Sequence, residues 1–239
     1  SEILGVPVDR VTMEEALDKI KDFLSGSSTS TIYTPNSEIM MAAQRDADLK
    51  RILCEGSLVV ADGAGVVLAS RILRQELPEK VSGFDLTIKT FEMAKTREIS
   101  FFLLGGKPGI AEEAAKRIIT DYPGVVIAGF RNGYFSSEEE ADIIEEINSS
   151  GADVLLVALG APKQEKWIHA NKEKLNVKVC MGVGGTLDVL AGRAALAPPF
   201  FRKNGLEWLY RLYKEPWRYK RMLDLPRFML TVLKKRVLS

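Results

Sequence analysis

Residues 100–120, SFFLLGGKPGIAEEAAKRIIT, decide the fold class of this chain. The apolar run 100–104 predicts a buried strand, because short uncharged runs bounded by turn residues are typical of a covered sheet. The glycine-rich segment 105–109 predicts a turn, and the residues from there to 120 have a helical pattern. A strand, a turn and a helix in this order form the repeating unit of an α/β sheet.

The same alternation extends outward over the first 190 residues. Further strands are predicted at 31–34, 57–60, 125–128, 153–158 and 178–181, and helices at 12–25, through the forties, and at 64–74, 137–148, 162–174 and 185–191. Short apolar strands that alternate with helices indicate βαβ units, so we expect a mostly parallel, Rossmann-like sheet with helices on both faces. We expect this α/β domain to cover residues 1–193 and a helical appendage to cover 194–239.

The distribution of charge separates the same two parts. Residues 202–239 contain eleven Lys and Arg and three Asp and Glu, so their net charge is +8 and the rest of the chain carries −7. An acidic body with a basic tail indicates that the tail meets an anionic partner. No run of about 18 apolar residues is present to span a bilayer as a helix.

Several classes of chemistry find little support in the composition. The N-terminus lacks the basic and apolar regions of a signal peptide, so a cytoplasmic location is expected. Cys54 and Cys180 stand in apolar surroundings, which favours two buried free thiols in a reducing compartment. The single histidine, His169, has no Cys or His cluster around it, so neither a zinc site nor a Ser/His or Cys/His nucleophile is expected.

The candidate site residues follow the predicted strands. In open parallel sheets, ligands bind beyond the carboxyl ends of the strands, where loops meet helix N-termini. The loops at those positions carry Thr34, Asn36, Asp62, Gly105, Gly106, Lys163, Gln164, Gly184, Gly185 and Asp188.

Each of these residues also has a purely structural interpretation. The glycines at 105–106 and 184–185 let a diphosphate approach a helix N-terminus, or they form tight turns. Asp62 could take a proton from a sugar hydroxyl, or cap the next helix, and geometry alone favours the cap. Thr34 and Asn36 suit hydroxyl binding or a cap, and the segment 163–165 suits phosphate binding or an exposed helix start.

The basic tail is amphipathic. Arg211, Lys214, Arg218 and Arg221 are spaced three or four residues apart, which places them on one stripe of a continuous helix, although Pro216 interrupts it. Aromatic and aliphatic residues lie between them, as at an anionic membrane surface. Packing on the body, pairing of two copies in a homo-oligomer, and binding of nucleic acid are alternatives, and the acidic body argues against nucleic acid.

At these loops the chain resembles the WecG/TagA/CpsF family of bacterial glycosyltransferases. The stretches that carry the match, in order and over essentially the whole chain, are Thr34-Pro35-Asn36-Ser37-Glu38, Ala61-Asp62-Gly63, Val81-Ser82-Gly83-Phe84-Asp85, Phe102-Leu103-Leu104-Gly105-Gly106, Gly160-Ala161-Pro162-Lys163-Gln164-Glu165, Gly184-Gly185-Thr186-Leu187-Asp188 and Gly205-Leu206-Glu207-Trp208-Leu209-Tyr210-Arg211-Leu212. Each motif alone is weak, and together they are specific.

The resemblance implies a GT-E type fold and an inverting transfer of N-acetylmannosamine from UDP-N-acetylmannosamine to undecaprenyl-diphosphate-linked N-acetylglucosamine, an early step of wall teichoic acid synthesis. It implies no metal and no other cofactor, and a peripheral location on the inner face of the membrane. Alternatives are a family member with a different UDP-sugar donor and a non-catalytic nucleotide-sugar-binding module. An NAD-linked oxidoreductase is disfavoured, because the G-x-G-x-x-G spacing is missing.

The resemblance also implies residue roles. Asp62 would be the general base, and Thr34, Asn36 and Gln164 would line the acceptor and donor pocket. Gly185 and Asp188 would contact UDP, and the tail arginines would reach a diphosphate. Lys80 stands where the family often has Arg, near the Ser82-Gly83-Phe84-Asp85 motif, and is a further candidate for phosphate contact.

Overall fold

The computed structural model describes residues 1–216 and 219–238 and contains a six-stranded sheet in which every neighbouring pair is parallel. The strand order is β4-β3-β8-β7-β5-β6, and helices cover both faces. A small antiparallel hairpin, β1-β2, precedes the sheet. The predicted α/β fold class is confirmed.

The strands are β1 Glu2–Ile3, β2 Val6–Pro7, β3 Ser30–Tyr33, β4 Leu58–Val59, β5 Ser100–Gly105, β6 Val126–Arg131, β7 Val154–Ala158 and β8 Val179–Gly182. The central strands β5, β7 and β8 are buried over nearly their whole length, as expected for a parallel sheet with two covered faces. All six sheet strands were predicted from the sequence, whereas the N-terminal hairpin was not.

The helices are α1 Met13–Leu24, α2 Ser37–Arg45, α3 Ala47–Cys54, α4 Ala64–Ile72, α5 Gly83–Met93, α6 Ile110–Asp121, α7 Glu140–Ser150, α8 Lys163–Asn171, α9 Thr186–Leu190, α10 Pro199–Lys203, α11 Glu207–Lys214, α12 Tyr219–Met222 and α13 Asp224–Leu238. Thr12 and Glu15 form the capping box that begins α1. The single helix expected in the forties is two, because Asp46 caps α3 directly after α2. Helix α5 was not predicted.

The tail packs against the body. Phe228 and Val232 of α13 are fully buried in the core cluster that includes residues of α2 and α4. Arg45 and the buried Asp224 form an ion pair of 3.3 Å at the start of α13. Within the described residues, no helix has both the length and the apolar character needed to cross a bilayer.

The two cysteines differ in their surroundings. Cys180 lies in β8 and is fully buried, as expected, and both thiols are free. The expectation that Cys54 is buried is wrong: it is the last residue of α3 and is exposed. A helix end faces solvent even where its sequence neighbours are apolar.

Candidate functional site at the carboxyl rim

The predicted loops lie side by side along the carboxyl edge of the sheet, which we call the rim. In strand order the rim carries Asp62 after β4, Thr34 after β3, the glycine turn 182–185 after β8, Gln164 after β7, and Gly105 with Gly106 at the end of β5. The parallel register places all of these loops on one edge.

A series of contacts joins the first of these residues. Gly83, at the start of α5, lies next to Asp62, and its backbone N–H lowers the pKa of the Asp62 carboxyl. Gly83 also lies directly against Thr34, since a Cβ added to it would be 2.8 Å from the Thr34 Oγ1. Asp62 and Thr34 therefore meet across a single glycine.

The series continues across the next two strands. Thr34 Oγ1 donates to the carbonyl of Gly182 at 3.5 Å, and a Cβ added to Gly182 would be 2.9 Å from Gln164 Nε2. The Gln164 Oε1 accepts the backbone N–H of Gly184 at 3.0 Å. The structure thus brings Asp62, Thr34, Gln164 and the turn at Gly184 together.

Asp62 has an unusual electrostatic environment. Desolvation by burial raises the pKa of its carboxyl from 3.8 to about 6. The charges of Arg211 and Lys80 and the backbone N–H of Gly83 oppose this rise in the pKa, whereas the charge of Glu207 adds to it. A carboxyl with such a pKa is a stronger base than an ordinary Asp and is still mostly ionised near pH 7.

The structural interpretation of Asp62 as a helix cap does not hold. The N-cap residue of α4 is Gly63, and no side chain caps this helix. For Asn36 the cap is real, because its Oδ1 accepts the backbone N–H of Ile39 at 3.0 Å. The cap uses one lone pair of Oδ1, so the Nδ2 group is the part of Asn36 that the cap does not use.

The two predicted glycine turns differ in how crowded they are. A Cβ on Gly105 would lie 2.3 Å from the carbonyl oxygen of Ala158, and one on Gly106 would lie 2.6 Å from Ile110. Gly184 and Gly185 have nothing within 4 Å of such a Cβ. The turn 184–185 faces open space, whereas close packing explains why residues 105 and 106 are glycines.

The tail lies next to Asp62. Lys80 pairs with Glu207 of α11 at 2.5 Å, and Arg211 of the same helix is near enough to lower the Asp62 pKa. Arg202 pairs with Asp85. Arg221 pairs with Glu38 in the first turn of α2 at 2.9 Å, and the predicted site residue Arg218 lies outside the described residues.

Two predicted residues contact other parts of the rim. Lys163 is exposed and its Nζ lies 5.0 Å from the ring centre of Phe135, in the loop after β6. Asp188 is partly buried in α9, and its carbonyl accepts the backbone N–H groups of Arg193 and Ala194. Within the described residues, neither Lys163 nor Asp188 forms a hydrogen bond or an ion pair with Asp62.

Sequence reasoning missed two neighbours of the site. Gly83 was not predicted as a site residue, although it belongs to the motif Ser82-Gly83-Phe84-Asp85, which was a usable signal. One of the two interpretations of 163–165 made Glu165 an exposed first-turn acid, whereas the structure buries it to 1% exposure beside Gln164. Its position one residue after Gln164 gave no indication of this.

A shallow cavity of about 320 Å³ lies farther along the rim, between α6, the end of β6 and α7. It does not include Asp62 or Gln164. Its lining residues are Gly109, Ala111, Glu112, Phe130, Arg131, Asn132 and Glu146. In the described part of the chain, no group of three or more His, Cys, Asp or Glu side chains is arranged to hold a metal ion.

The fold belongs to the α/β class in which ligands bind at the carboxyl rim of a parallel sheet. Residues 1–239 match the model of the glycosyl transferase WecG/TagA/CpsF family, and the chain belongs to this family. The resemblance seen in the motifs is confirmed, and the protein is a glycosyltransferase.

Curated relatives are similar in sequence to this chain over most of their length. A Bacillus subtilis (strain 168) protein named N-acetylglucosaminyldiphosphoundecaprenol N-acetyl-beta-D-mannosaminyltransferase is 34% identical, with 98% of this chain and 91% of the relative covered. A Staphylococcus aureus (strain MRSA252) protein of the same name is 35% identical, with 98% and 92% covered. A third, from Bacillus spizizenii, is 33% identical over 89% of this chain and 82% of the relative.

Proposed function

We propose that the protein transfers N-acetylmannosamine from UDP-N-acetylmannosamine to N-acetylglucosamine carried on undecaprenyl diphosphate, with inversion at the anomeric carbon. Family membership and the names of the relatives support the reaction. The observation that carries the site is the contact series from Asp62 through Thr34 to Gln164 and Gly184 on one rim.

Asp62 is the general base in this proposal. It accepts the proton of the acceptor C4 hydroxyl while that oxygen forms a bond to the anomeric carbon of the donor. The bond from this carbon to the UDP oxygen breaks, and UDP leaves with the electron pair. The raised pKa of about 6 makes Asp62 a better proton acceptor than an ordinary Asp, at little loss of the ionised form near pH 7.

The donor diphosphate is held on the open side of the rim. Gly184 and Gly185 leave room for it at the N-terminus of α9. In this proposal, Asp188 of the same helix binds nucleoside hydroxyls. Lys163 and the turn at Gly105 and Gly106 extend this proposed donor site along the rim. Positive charge for the leaving diphosphate comes from Lys80 and the tail arginines 211, 218 and 221.

The remaining polar groups bind sugar hydroxyls in this proposal. Thr34 and Gln164 lie between Asp62 and the open glycine turn, where the two sugars must meet. Asn36 adds an amide donor through Nδ2. We expect the transfer to need neither a metal ion nor a cofactor, because protein charges and helix N-termini supply the stabilisation of the leaving group.

The Asp62→Asn variant tests the base. We expect turnover, measured as UDP release from UDP-N-acetylmannosamine with a short-chain lipid-diphosphate acceptor, to fall at least about 100-fold. UDP affinity, measured by calorimetry, should remain within a few-fold. Asp18→Asn, which changes an exposed acid of α1, is the matched control. Full turnover of Asp62→Asn would contradict the assignment, and no UDP release by the unmodified protein would contradict the reaction.

We also propose that the tail binds the anionic inner face of the cell membrane, where the polyprenyl acceptor resides. Helix α11 exposes Trp208, Leu209 and Tyr213 beside the cationic Arg211 and Lys214. Apolar rings next to basic side chains suit the headgroup boundary of a bilayer. The lipid-linked acceptor then reaches Asp62 from the side on which Arg211 lies.

Leu209→Glu with Tyr213→Glu tests this surface. We expect the double variant to lose pelleting with phosphatidylglycerol vesicles while it retains its thermal unfolding midpoint, since both side chains are exposed. Ile119→Glu on α6 is the control, because the exposed fraction of Ile119, 54%, lies between those of Leu209, 41%, and Tyr213, 78%. If pelleting is unchanged, the surface does not bind membrane. A smaller sedimentation coefficient of the double variant would instead indicate a homo-oligomer.

A further inference from the structure

One buried acid has no role in the mechanism above. Glu165 lies in the first turn of α8, is 1% exposed, and has no cationic partner among the residues that the structure describes. Its Oε1 accepts a hydrogen bond from Gln164 Nε2 at 2.9 Å, and its Oε2 has no hydrogen-bond partner. Burial raises the pKa of this carboxyl, so its ionised form is disfavoured in the folded protein.

The Gln164 side chain connects Glu165 to the rim. It is 3% exposed, its Nε2 donates to Glu165, and its Oε1 accepts the backbone N–H of Gly184. If the amide were turned over, its oxygen would face the Glu165 acceptor oxygen and its nitrogen would face the Gly184 donor. The two partners therefore fix one orientation of the amide from opposite ends.

The glycine turn depends on this amide. Gly184 has φ +52°, a left-handed conformation, and its N–H is held by Gln164. Gly182, at the other end of the turn, lies against the same amide. A side chain that holds both ends of the turn sets the shape of the open surface at 184–185.

We propose that Glu165 is a positioning residue for glycosyl transfer, acting through the Gln164 amide on the turn at Gly184. This inference rests on the proposed function, in which the turn receives the donor diphosphate. Glu165 does not touch the substrate. A buried carboxyl costs free energy, and here its hydrogen bond holds a group at the site.

A double-mutant cycle tests this coupling. We expect Glu165→Leu to lower kcat about 10- to 100-fold, the range expected when a buried amide N–H loses its acceptor. In the Gln164→Ala background the same change should lower kcat less than about two-fold, because the amide it orients is gone. Glu165→Gln should stay within about five-fold of the unmodified enzyme, since its amide oxygen can accept the same hydrogen bond.

Trp167→Phe removes another buried polar atom from α8, the indole Nε1, and its effect should be additive with Gln164→Ala. The proposal would be overturned if the losses of kcat in Glu165→Leu and Gln164→Ala were additive. It would also be overturned if Glu165→Gln lowered kcat as much as Glu165→Leu does. Unchanged thermal midpoints exclude simple unfolding as the cause of a loss.

A second readout separates this inference from the proposed function. The four proteins of the cycle are the unmodified protein, Glu165→Leu, Gln164→Ala and the double variant. Each is titrated with UDP by calorimetry, a measurement that needs no turnover. If the enzyme lacks the proposed activity but UDP affinity shows the coupling between Glu165 and Gln164, only the reaction is wrong. If turnover is as proposed and neither kcat nor UDP affinity shows coupling, only the positioning role is wrong.

Discussion

The turns at 105–106 and at 184–185 look alike in sequence and differ in space. Both place paired glycines between a buried strand and a helix. Gly105 has φ +142°, and its Cα faces the β7 backbone, so close that a Cβ would overlap the Ala158 carbonyl. The backbone N–H of Gly106 donates to the same carbonyl, and its carbonyl accepts from Gly133. At 184–185 a Cβ would meet only open space.

The difference shows that paired glycines have two separate causes. In the first turn, glycine lets two neighbouring strands end close together, and its polar backbone groups are used within the protein. In the second turn, no packing explains Gly185, and its φ of −76° is accessible to any residue. The absence of a side chain there leaves room at the rim, which a ligand can use.

The largest effect should come from Gly105→Ala. The left-handed conformation and the overlap with Ala158 together should lower the free energy of unfolding by about 3–5 kcal/mol. Urea unfolding measures this loss. Gly151→Ala is the control, because Gly151 has φ +67° but open space, so strain alone should cost about 1–2 kcal/mol. If both variants lost the same free energy of unfolding, crowding against Ala158 would not contribute to the need for glycine at 105.

A second, smaller effect concerns the acid beside the open turn. The pKa of Asp62 is raised from 3.8 to about 6, so the folded state binds the proton more tightly and loses stability as pH rises from about 4 to 6. Asp62→Asn should therefore be more stable than the unmodified protein by up to about 3 kcal/mol at pH 8, and equally stable near pH 4. Urea unfolding at the two pH values measures this. If Asp62→Asn were more stable than the unmodified protein near pH 4 but not at pH 8, the pKa of Asp62 would not be raised in the folded state.

The smallest effect on folding should come from Gly185→Val. Since a side chain at 185 meets nothing, we expect the unfolding free energy to change by less than about 0.5 kcal/mol. UDP affinity, measured by calorimetry, should fall at least about ten-fold, because the side chain fills the proposed diphosphate site. Unchanged affinity would show that the diphosphate does not use the open space at 184–185 and lies elsewhere on the rim.

Much of the fold was readable because its signals are local. The apolar strands and the capping box of Thr12 and Glu15 each lie within a few residues, and the strand-end rule then gave the rim. Helix α5 was missed: it begins with a glycine and includes the buried Thr87 and Thr90, whose intrinsic helix propensity is low. Its stability comes from burial, which is not a local property.

The site was predictable in position but not in its contacts. The sequence placed Asp62 and Gln164 on one edge, whereas their connection through Gly83, Thr34 and Gly182 depends on the strand order β4-β3-β8-β7. The burial of Glu165 depends on the face that α8 turns toward the sheet. These are long-range properties, and no spacing within the sequence encodes them.

The burial of Phe228 and Val232 against α2 and α4 has a consequence during synthesis. All six strands of the sheet leave the ribosome before α13 does. Until α13 is released, the apolar surfaces of α2 and α4 that it covers stay in contact with water. The release of residues 224–238 therefore decides when this half of the core closes.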